Sequence, residues 1–279
     1  MSTPPPDAAL PGAPGADAYA ALDAPALRAL LAQRDQQWAQ QVAAQDEWVH
    51  AVSHDLRAPL RHITSYGPLV RELLEEAQGL EPDARQEALA FLGTMDQSAR
   101  RMGRMLDGLL ALARIARAPL RLEAVDLAAL LEQARAPLAA GLQGRSVQWQ
   151  VAPALPTVQG DAALLRALLD ALLSNALKFT QRRAPAFIAV GAERAADGAC
   201  TLWVQDNGVG FNPAQANGLF GIFQRLHRES EFEGVGTGLA LVRAVARRHG
   251  GQVQATAVPG EGCTVRVSWP GSGTTPYFD

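Results

Sequence analysis

Apolar residues recur with a seven-residue period along the first part of the chain, and this repeat constrains the fold more than any other feature of the sequence. From Leu31 onward the repeat has two seam positions, which only Asp35 and Gln45 interrupt with polar side chains. The seam residues are Leu31, Trp38, Val42, Val49, Val52, Leu56, Pro59 and Ile63. A heptad of this kind predicts one long helix that needs helical partners along its length.

A second apolar seam follows the turn-like segment Gly79–Asp83 and predicts a second helix. Its residues are Leu92, Met95, Ala99, Met102, Leu106, Leu109, Ala113 and Ala116. Two antiparallel helices with narrow seams bury little surface by themselves, so we expect a symmetric homodimer that forms a four-helix bundle. The alternative is a monomeric helical hairpin docked on the second domain of the chain.

The first helix carries a histidine in a setting that suits a nucleophile, within the segment Ser53–Leu60. His54 directly precedes Asp55 and stands five residues before Pro59. An adjacent acid can fix the imidazole tautomer, and the heptad places His54 at the outermost position. Pro59 cannot donate to the carbonyl of Asp55, so we expect the helix to loosen or bend there. An exposed surface pair would explain the same residues, and a metal site with His50 would lack a third ligand.

Composition argues against several classes of protein. The 279 residues are 48% hydrophobic, with a net charge of -3 and a pI near 6.0, so nothing electrostatic favours nucleic acid or an anionic membrane. No uncharged apolar stretch approaches the length of a membrane span, and the N-terminal segment lacks the features of a secretory signal. We therefore expect a cytoplasmic protein without membrane insertion. Cys200 and Cys263 are expected to be small hydrophobic residues and not a disulfide.

Beyond Pro119 the sequence pattern changes to alternating helix-like and strand-like segments. The predicted helices are Asp126–Gly141, Asp161–Phe179 and Gly238–His249. The predicted strands are Val147–Val151, Phe187–Ala192, Cys200–Gln205, Gln252–Ala255 and Cys263–Trp269. Runs of alternating Val, Thr and aromatic residues that end in turn signals are typical of strands. The predicted fold class is α plus α/β, a helical hairpin followed by an α/β sandwich.

Three short motifs in the second domain carry residues that suit a nucleotide. Asn175 lies three residues before Lys178, the only lysine in the chain, so an amide for Mg²⁺ and an ammonium for phosphate share one helix face. Asp206–Gly210 follows a strand and offers a carboxylate acceptor for an exocyclic amine. Gly234–Gly238 leads into a helix whose free N–H groups suit phosphate. Each motif alone is also explained by a turn or a helix start.

Taken together and in order, these motifs resemble those of the sensor histidine kinase family. His54 matches the H-box, Asn175 the N-box, Asp206–Gly210 the G1 box and Gly234–Gly238 the G2 box, while Leu219–His227 is similar to the F-box segment of the mobile ATP lid. The resemblance covers roughly residues 27–270, and its details are most like phytochrome-linked kinase modules. Light sensing does not carry over, because no chromophore domain is present.

The resemblance implies a domain division and a set of functional residues. The expected parts are a disordered tail (1–26), a dimerisation and histidine phosphoacceptor domain (27–118), a catalytic ATP-binding domain (119–271) and a second tail (272–279). The implied catalytic residues are His54 and Asp55, with Mg²⁺ on Asn175. The implied ATP-binding residues are Asn175, Lys178, Asp206, Gly208, Gly210, Arg225, Gly234, Gly236, Thr237, Gly238 and Leu239. Implied partners are a second copy, a response regulator receiver domain and an upstream sensor protein, and the hinge near Pro119 is expected to move.

Two positions depart from the pattern of the family. Four residues before Asn175, many relatives carry an amide or an acid, whereas this chain has Ala171, with Asp170 rotated about 100° away on the helix. Four residues after His54 stands Ala58, which cannot orient a water, so we expect little phosphatase activity. A non-catalytic dimeric adaptor that binds ATP is the alternative function. A serine kinase of the anti-sigma type is disfavoured, because such proteins lack an exposed histidine in a preceding helical seam.

Overall fold

The computed structural model describes residues 23–271, apart from residues 78, 80, 140–141, 143, 197 and 229–230, and it leaves out the side chains of residues 35, 37–54 and 217. The chain divides into two units, Met1–Val52 and Ser53–Asp279, which are treated separately below. The described residues contain no helix with both the length and the apolar character that crossing a membrane requires. The predicted tails lie outside the described residues, except for residues 23–26.

Helix α1 (Ala24–Glu76) is 53 residues long and confirms the long helix that the heptad predicts. It starts after Asp23, whose carboxylate accepts a hydrogen bond from the N–H of Ala26 at 2.9 Å and so satisfies one free donor of the first turn. The helix continues through Pro59 and Pro68. In the first unit, the described residues are Asp23 and the portion of α1 that ends at Val52.

In the second unit, the rest of α1 and helix α2 (Pro82–Arg117) form an antiparallel hairpin. At one end Arg57 pairs with Asp107 at 3.2 Å, and at the other the guanidinium of Arg85 donates to the carbonyl of Ala77. Buried residues between the two helices include Leu60 and Ala99. Large apolar side chains nevertheless remain exposed on the hairpin: Leu56, Tyr66, Leu69, Val70, Leu73, Phe91, Met95 and Met102.

After α2 the chain builds a five-stranded mixed sheet that is covered by helices. Its strands are β2 (Val147–Val151), β4 (Ala186–Arg194), β5 (Cys200–Asp206), β6 (Gln252–Val258) and β7 (Gly262–Trp269). The order is β2-β4-β5-β7-β6, in which β2 and β4 are parallel and the other pairs antiparallel. The helices are α3 (Leu127–Ala139), α4 (Ala162–Phe179) and α5 (Gly238–Arg248). Their apolar faces form one core with the sheet, which confirms the predicted fold class.

A small second sheet is absent from the sequence-based prediction. Strand β1 (Glu123–Asp126) pairs antiparallel with β3 (Thr157–Gly160), and Val125 lies opposite Val158 in the register. Both valines are buried in the common core. Each strand has four residues, which is too short for an alternating pattern to stand out from the flanking polar residues.

A buried histidine ties the start of α4 to the end of α5. Nε2 of His249 accepts the N–H of Asp161 at 3.0 Å, so the proton of the neutral ring lies on Nδ1, which donates to the carbonyl of Val245 at 2.8 Å. Burial lowers the pKa of His249 and keeps the ring neutral. The Asp161 carboxylate in turn caps α4 by accepting the N–H groups of Ala163 and Leu164, both at 3.1 Å. Helices α4 and α5 are therefore fixed to each other beside the site described next.

Candidate nucleotide site

The last turns of α4 carry the predicted amide and ammonium. A Cβ built on Gly238 would lie 3.6 Å from Nδ2 of Asn175, so this amide faces the first residue of α5. The Lys178 ammonium lies 4.6 Å from the ring centroid of Phe179, and a Cβ built on Gly234 would lie 3.3 Å from it. Burial lowers the pKa of Lys178, and the nearby charge of Arg225 lowers it further. An anion bound between Lys178 and Arg225 would therefore reduce the repulsion between their two positive charges.

Asp206 ends strand β5 in a buried position, with 8% of its surface exposed. Its Oδ1 accepts the N–H of Gly208 at 2.8 Å, and the N–H of Cys263 also donates to the carboxyl group. Burial raises the pKa of Asp206 to about 6, although these two hydrogen bonds act in the opposite direction. A carboxylate that is desolvated in this way gains from a further donor, such as the exocyclic amine of a purine.

Glycines of the loop before α5 are required by its backbone. Gly236 has a φ of +78°, and a Cβ there would lie 2.6 Å from the carbonyl oxygen of Gln224. The carbonyl of Gly236 also accepts the N–H of Phe223 at 2.9 Å, which ties the loop to the preceding segment. Helix α5 starts at Gly238, and the side chain of Thr237 makes no capping hydrogen bond. The first N–H groups of α5 and the Thr237 hydroxyl are thus available to phosphate oxygens.

The segment Leu219–His227, predicted to be part of a lid, is held in place by polar and aromatic contacts. The guanidinium of Arg225 donates to the carbonyl of Phe232 at 2.7 Å and to that of Gly234. Nε2 of His227 donates to the carbonyl of Gly210 at 3.0 Å. The rings of Phe179, His227 and Phe232 lie 5.1–5.5 Å apart. In this conformation Arg225 organises the loop around Gly234.

These elements enclose one cavity of about 400 Å³, a volume within the range of small-molecule sites. It brings together ten of the eleven residues implied to bind ATP. They are Asn175, Lys178, Asp206, Gly210, Arg225, Gly234, Gly236, Thr237, Gly238 and Leu239. Gly208 does not line the cavity. It instead holds Asp206 through its N–H, and a Cβ there would lie 2.7 Å from the carbonyl oxygen of Phe179.

Other cavity residues have no assigned role in the predicted motifs, although Leu219, Leu226 and Val235 lie within the ranges of those motifs. The apolar lining includes Leu172, Val204, Phe211, Leu219, Leu226, Phe232, Val235 and Val265. Residues with this chemistry also build ordinary cores, so the sequence gives no signal that sets them apart. Helix α2 adds Arg104, Asp107 and Gly108 to the wall, far from every motif in the sequence.

The predicted phosphoacceptor and metal positions lie as follows. His54 belongs to α1, and its side chain is among those that the structure does not describe, whereas Asp55 is exposed. Asp170, next to the substituted position Ala171, pairs with Arg166 at 2.8 Å and does not line the cavity. Among the described residues there is no group of three or more His, Cys, Asp or Glu side chains that could hold a metal. The amide oxygen of Asn175 is suitable as one ligand of a hard cation such as Mg²⁺. The other ligands of the cation would come from phosphates and water.

Two family models match the chain on either side of Pro119. The His Kinase A (phospho-acceptor) model matches residues 44–118, and the histidine kinase-, DNA gyrase B- and HSP90-like ATPase model matches residues 160–273. The chain belongs to the sensor histidine kinase family. This assignment confirms the resemblance that the sequence motifs indicate.

Individual histidine kinases are similar to the chain over most of its length. The phytochrome-like protein Cph1 of Synechocystis sp. is 30% identical over 224 residues, which make up 80% of this chain and 29% of Cph1. The adaptive-response sensory kinase SasA of Synechococcus sp. is 30% identical over 244 residues, or 86% of this chain and 63% of SasA. The chain thus spans less than a third of the length of its phytochrome relatives.

Among solved structures, full-length ShkA in complex with AMPPNP is similar in fold and in sequence. The TM-score is 0.57 at 25% identity, and the match covers 83% of this chain and 47% of ShkA. The similarity extends beyond the ATP-binding domain, since it includes most of the chain. It supports the order of a helical domain followed by a mixed α/β domain.

Proposed function

We propose that the chain transfers the γ-phosphoryl group of ATP to its own His54 and then passes it to an aspartate of a separate response regulator. The observation that carries this proposal is the cavity that joins Asp206 to the glycine loop before α5. It supplies an acceptor for an adenine amine and free N–H groups for phosphates within one enclosure. The family assignment and the AMPPNP complex of ShkA support the same ligand.

Each part of the cavity would perform one task in binding the nucleotide. The carboxylate of Asp206 would accept a hydrogen bond from the exocyclic amine, while apolar residues such as Val204 and Val265 contact the purine. Lys178 and the N–H groups near Gly236 would bind phosphate oxygens. Mg²⁺, held in part by the amide oxygen of Asn175, would neutralise phosphate charge when it is bound.

The proposed transfer is a displacement at the γ-phosphorus. A ring nitrogen of neutral His54 forms a bond to phosphorus as the bond to the bridging oxygen of ADP breaks. The carboxylate of Asp55 orients the ring by accepting a hydrogen bond from the N–H of the other nitrogen. The phosphohistidine then donates its phosphoryl group to an aspartate carboxylate of the regulator. An upstream sensor protein is the expected source of the input signal.

We also propose that two copies form a homodimer through the hairpin. Leu73 and Phe91 are exposed by 67% and 61%, and other large apolar residues of α1 and α2 are exposed beside them. A contiguous apolar surface of this kind marks an interaction site in a folded protein. A second hairpin would cover it and complete a four-helix bundle, as the seam pattern predicts.

The second candidate function, an adaptor that binds ATP without transferring phosphate, is favoured by one observation. Asp170 is engaged by Arg166, and Ala171 packs against the core, so no acid or second amide stands beside Asn175 at this turn of α4. The adaptor and the kinase share the same nucleotide site. They differ only in whether His54 becomes phosphorylated.

Labelling with γ-³²P-ATP and Mg²⁺ separates the two functions. The kinase predicts acid-labile label on the wild-type chain, none on His54→Gln and undiminished label on His62→Gln, the matched control on the same helix. Subsequent addition of candidate receiver domains should move the label from the kinase to one of them. Label that persists in His54→Gln contradicts the assignment of the phosphoacceptor, and ATP binding without any label favours the adaptor.

A further inference from the structure

Helix α2 forms part of the wall of the nucleotide cavity. A Cβ built on Gly108 would lie 2.4 Å from Cγ2 of Thr237 and 2.9 Å from its Cβ, so the backbone of α2 touches the residue that directly precedes α5. At the end of α2, the guanidinium of Arg248 donates to the carbonyl of Ala116 at 3.1 Å and to that of Ala118. Contacts at both places fix the position of α2 against α5.

Arg104 lies one helical turn before Gly108 and lines the same cavity. Residues four apart in a helix share a face, so the contact of Gly108 with Thr237 brings Arg104 to the side of α2 that faces the glycine loop. The carboxylate of Asp107, which also lines this wall, is already paired with Arg57 at 3.2 Å. Within the described part of the chain, Arg104 has no carboxylate partner.

We propose that Arg104 is a nucleotide-binding residue: it donates to phosphate oxygens of ATP, so that the phosphoacceptor domain itself completes the phosphate site. The proposal rests on the proposed ATP binding and adds a cation that no nucleotide motif of the chain contains. An unpaired guanidinium on the wall of the same cavity as the free N–H groups of α5 is a suitable ligand for a polyphosphate, because its planar donors match phosphate geometry. Tight binding of ATP is then coupled to the docking of α2 beside Thr237.

Comparison of two ligands tests this proposal in the full-length chain. AMPPNP and adenosine share the base and ribose, whereas only AMPPNP carries phosphates. Arg104→Gln should weaken AMPPNP binding about tenfold and leave adenosine binding unchanged, since one charge-assisted contact to phosphate is lost. Arg114→Gln, an exposed arginine of the same helix outside the cavity, should change neither affinity. Both affinities are measured by calorimetry, and thermal unfolding confirms that the variants fold.

A second variant tests whether Arg104 acts through the docked helix. In Gly108→Ala the new Cβ meets Cβ of Thr237, which rotation of the threonine side chain does not move, so α2 has to shift away. Alanine is the better helix former, and α2 itself should remain intact. Gly108→Ala should weaken AMPPNP binding by a factor similar to that of Arg104→Gln, and the double variant should show no further loss.

The outcomes distinguish this proposal from the proposed function. Unchanged AMPPNP affinity in Arg104→Gln, or an equal loss for adenosine and AMPPNP, would overturn the role of Arg104 while ATP binding stands. Additive effects in the double variant would overturn the coupling of nucleotide binding to the docked helix. A wild-type chain that binds no AMPPNP would overturn both proposals.

Discussion

The titration of Asp206 should control the recognition of adenine. Because burial raises the pKa of this carboxyl to about 6, a change from pH 8 to pH 5 converts it from almost fully ionised to almost fully protonated. Only the ionised form presents acceptors alone to the exocyclic amine, while the N–H groups of Gly208 and Cys263 already use part of its capacity. At pH 5 about one carboxyl in eleven is ionised, so the affinity for the base should fall about tenfold.

Adenosine is the ligand for this assay, because it has no phosphate groups whose own titration would alter binding. Its affinity for the wild-type chain is measured by calorimetry at intervals between pH 5 and pH 8. Cys263 also lies beside Asp206, but burial raises the pKa of its thiol to about 12, so it stays protonated throughout this range. His227 lines the cavity as well, and His227→Gln should keep the pH dependence if Asp206 is its source.

The matched variant is Asp206→Asn, which keeps the shape of the side chain but does not titrate. It has one acceptor oxygen in place of two, so adenosine should bind more weakly at pH 8 and with little dependence on pH.

The same pair of proteins gives an independent check without ligand. Because the pKa of Asp206 is raised in the folded chain, the protonated carboxyl contributes its full stability below pH 3.8, the ordinary pKa of the group. This contribution is lost as the pH rises through about 6. The wild type should therefore lose about 2 kcal/mol of stability relative to Asp206→Asn between pH 4 and pH 7. An adenosine affinity that stays constant from pH 8 to pH 5 would refute the assignment of Asp206 to the base.

Two further predictions concern the glycine loop and the dimer. Gly236→Ala places a Cβ 2.6 Å from the carbonyl oxygen of Gln224 and should reduce AMPPNP affinity more than tenfold in calorimetry. The control Gly260→Ala has a similar φ of +80° but no atom within 4 Å of the new Cβ, so it should keep its AMPPNP affinity. Retained binding in Gly236→Ala would contradict the role of the loop. Leu73→Glu puts a charge on the exposed apolar surface of the hairpin and should convert the proposed dimer to a monomer in light scattering. Leu122→Glu, at a residue 60% exposed outside the two helices, should leave the mass unchanged, and a dimeric Leu73→Glu would exclude this surface.

Local patterns were sufficient to predict most of the secondary structure. The seven-residue period indicates α1 and α2, because apolar residues recur at this spacing when one face of a helix packs against partner helices. Strand β5 alternates buried and more exposed residues from Cys200 onward, so its pattern is visible in the sequence. The pairing of β1 with β3 was not predicted, since each strand is short and becomes a strand only through its distant partner.

The candidate site was predictable where chemistry and backbone geometry act within a few residues. Asp206 at a strand end and Gly236 in a left-handed conformation belong to local motifs whose order also reveals the family. The raised pKa of Asp206 could not be predicted, because it depends on burial by residues from other elements. The position of Arg104 was equally inaccessible, since it depends on how α2 packs against α5.

Docking of α2 also bears on the hinge expected near Pro119. Arg248 holds the last carbonyls of α2, and hydrogen bonds from a charged donor contribute roughly 1.5–3 kcal/mol each when they are well formed and less when exposed. Ile115, two residues before the end of α2, is buried in the core of the ATP-binding domain, and exposing such a side chain costs about 1.5–3 kcal/mol. Release of α2 therefore costs a few kcal/mol, which leaves the undocked state as a minor population that is still accessible. Motion about Pro119 alone would not release α2, because Ile115 and the two carbonyls bound by Arg248 all precede Pro119 in the chain. A nucleotide that gains a contact with Arg104 would favour the docked state further, so the proposed transfer to His54 would occur either with α2 in place or after both the Arg248 and Ile115 contacts have opened.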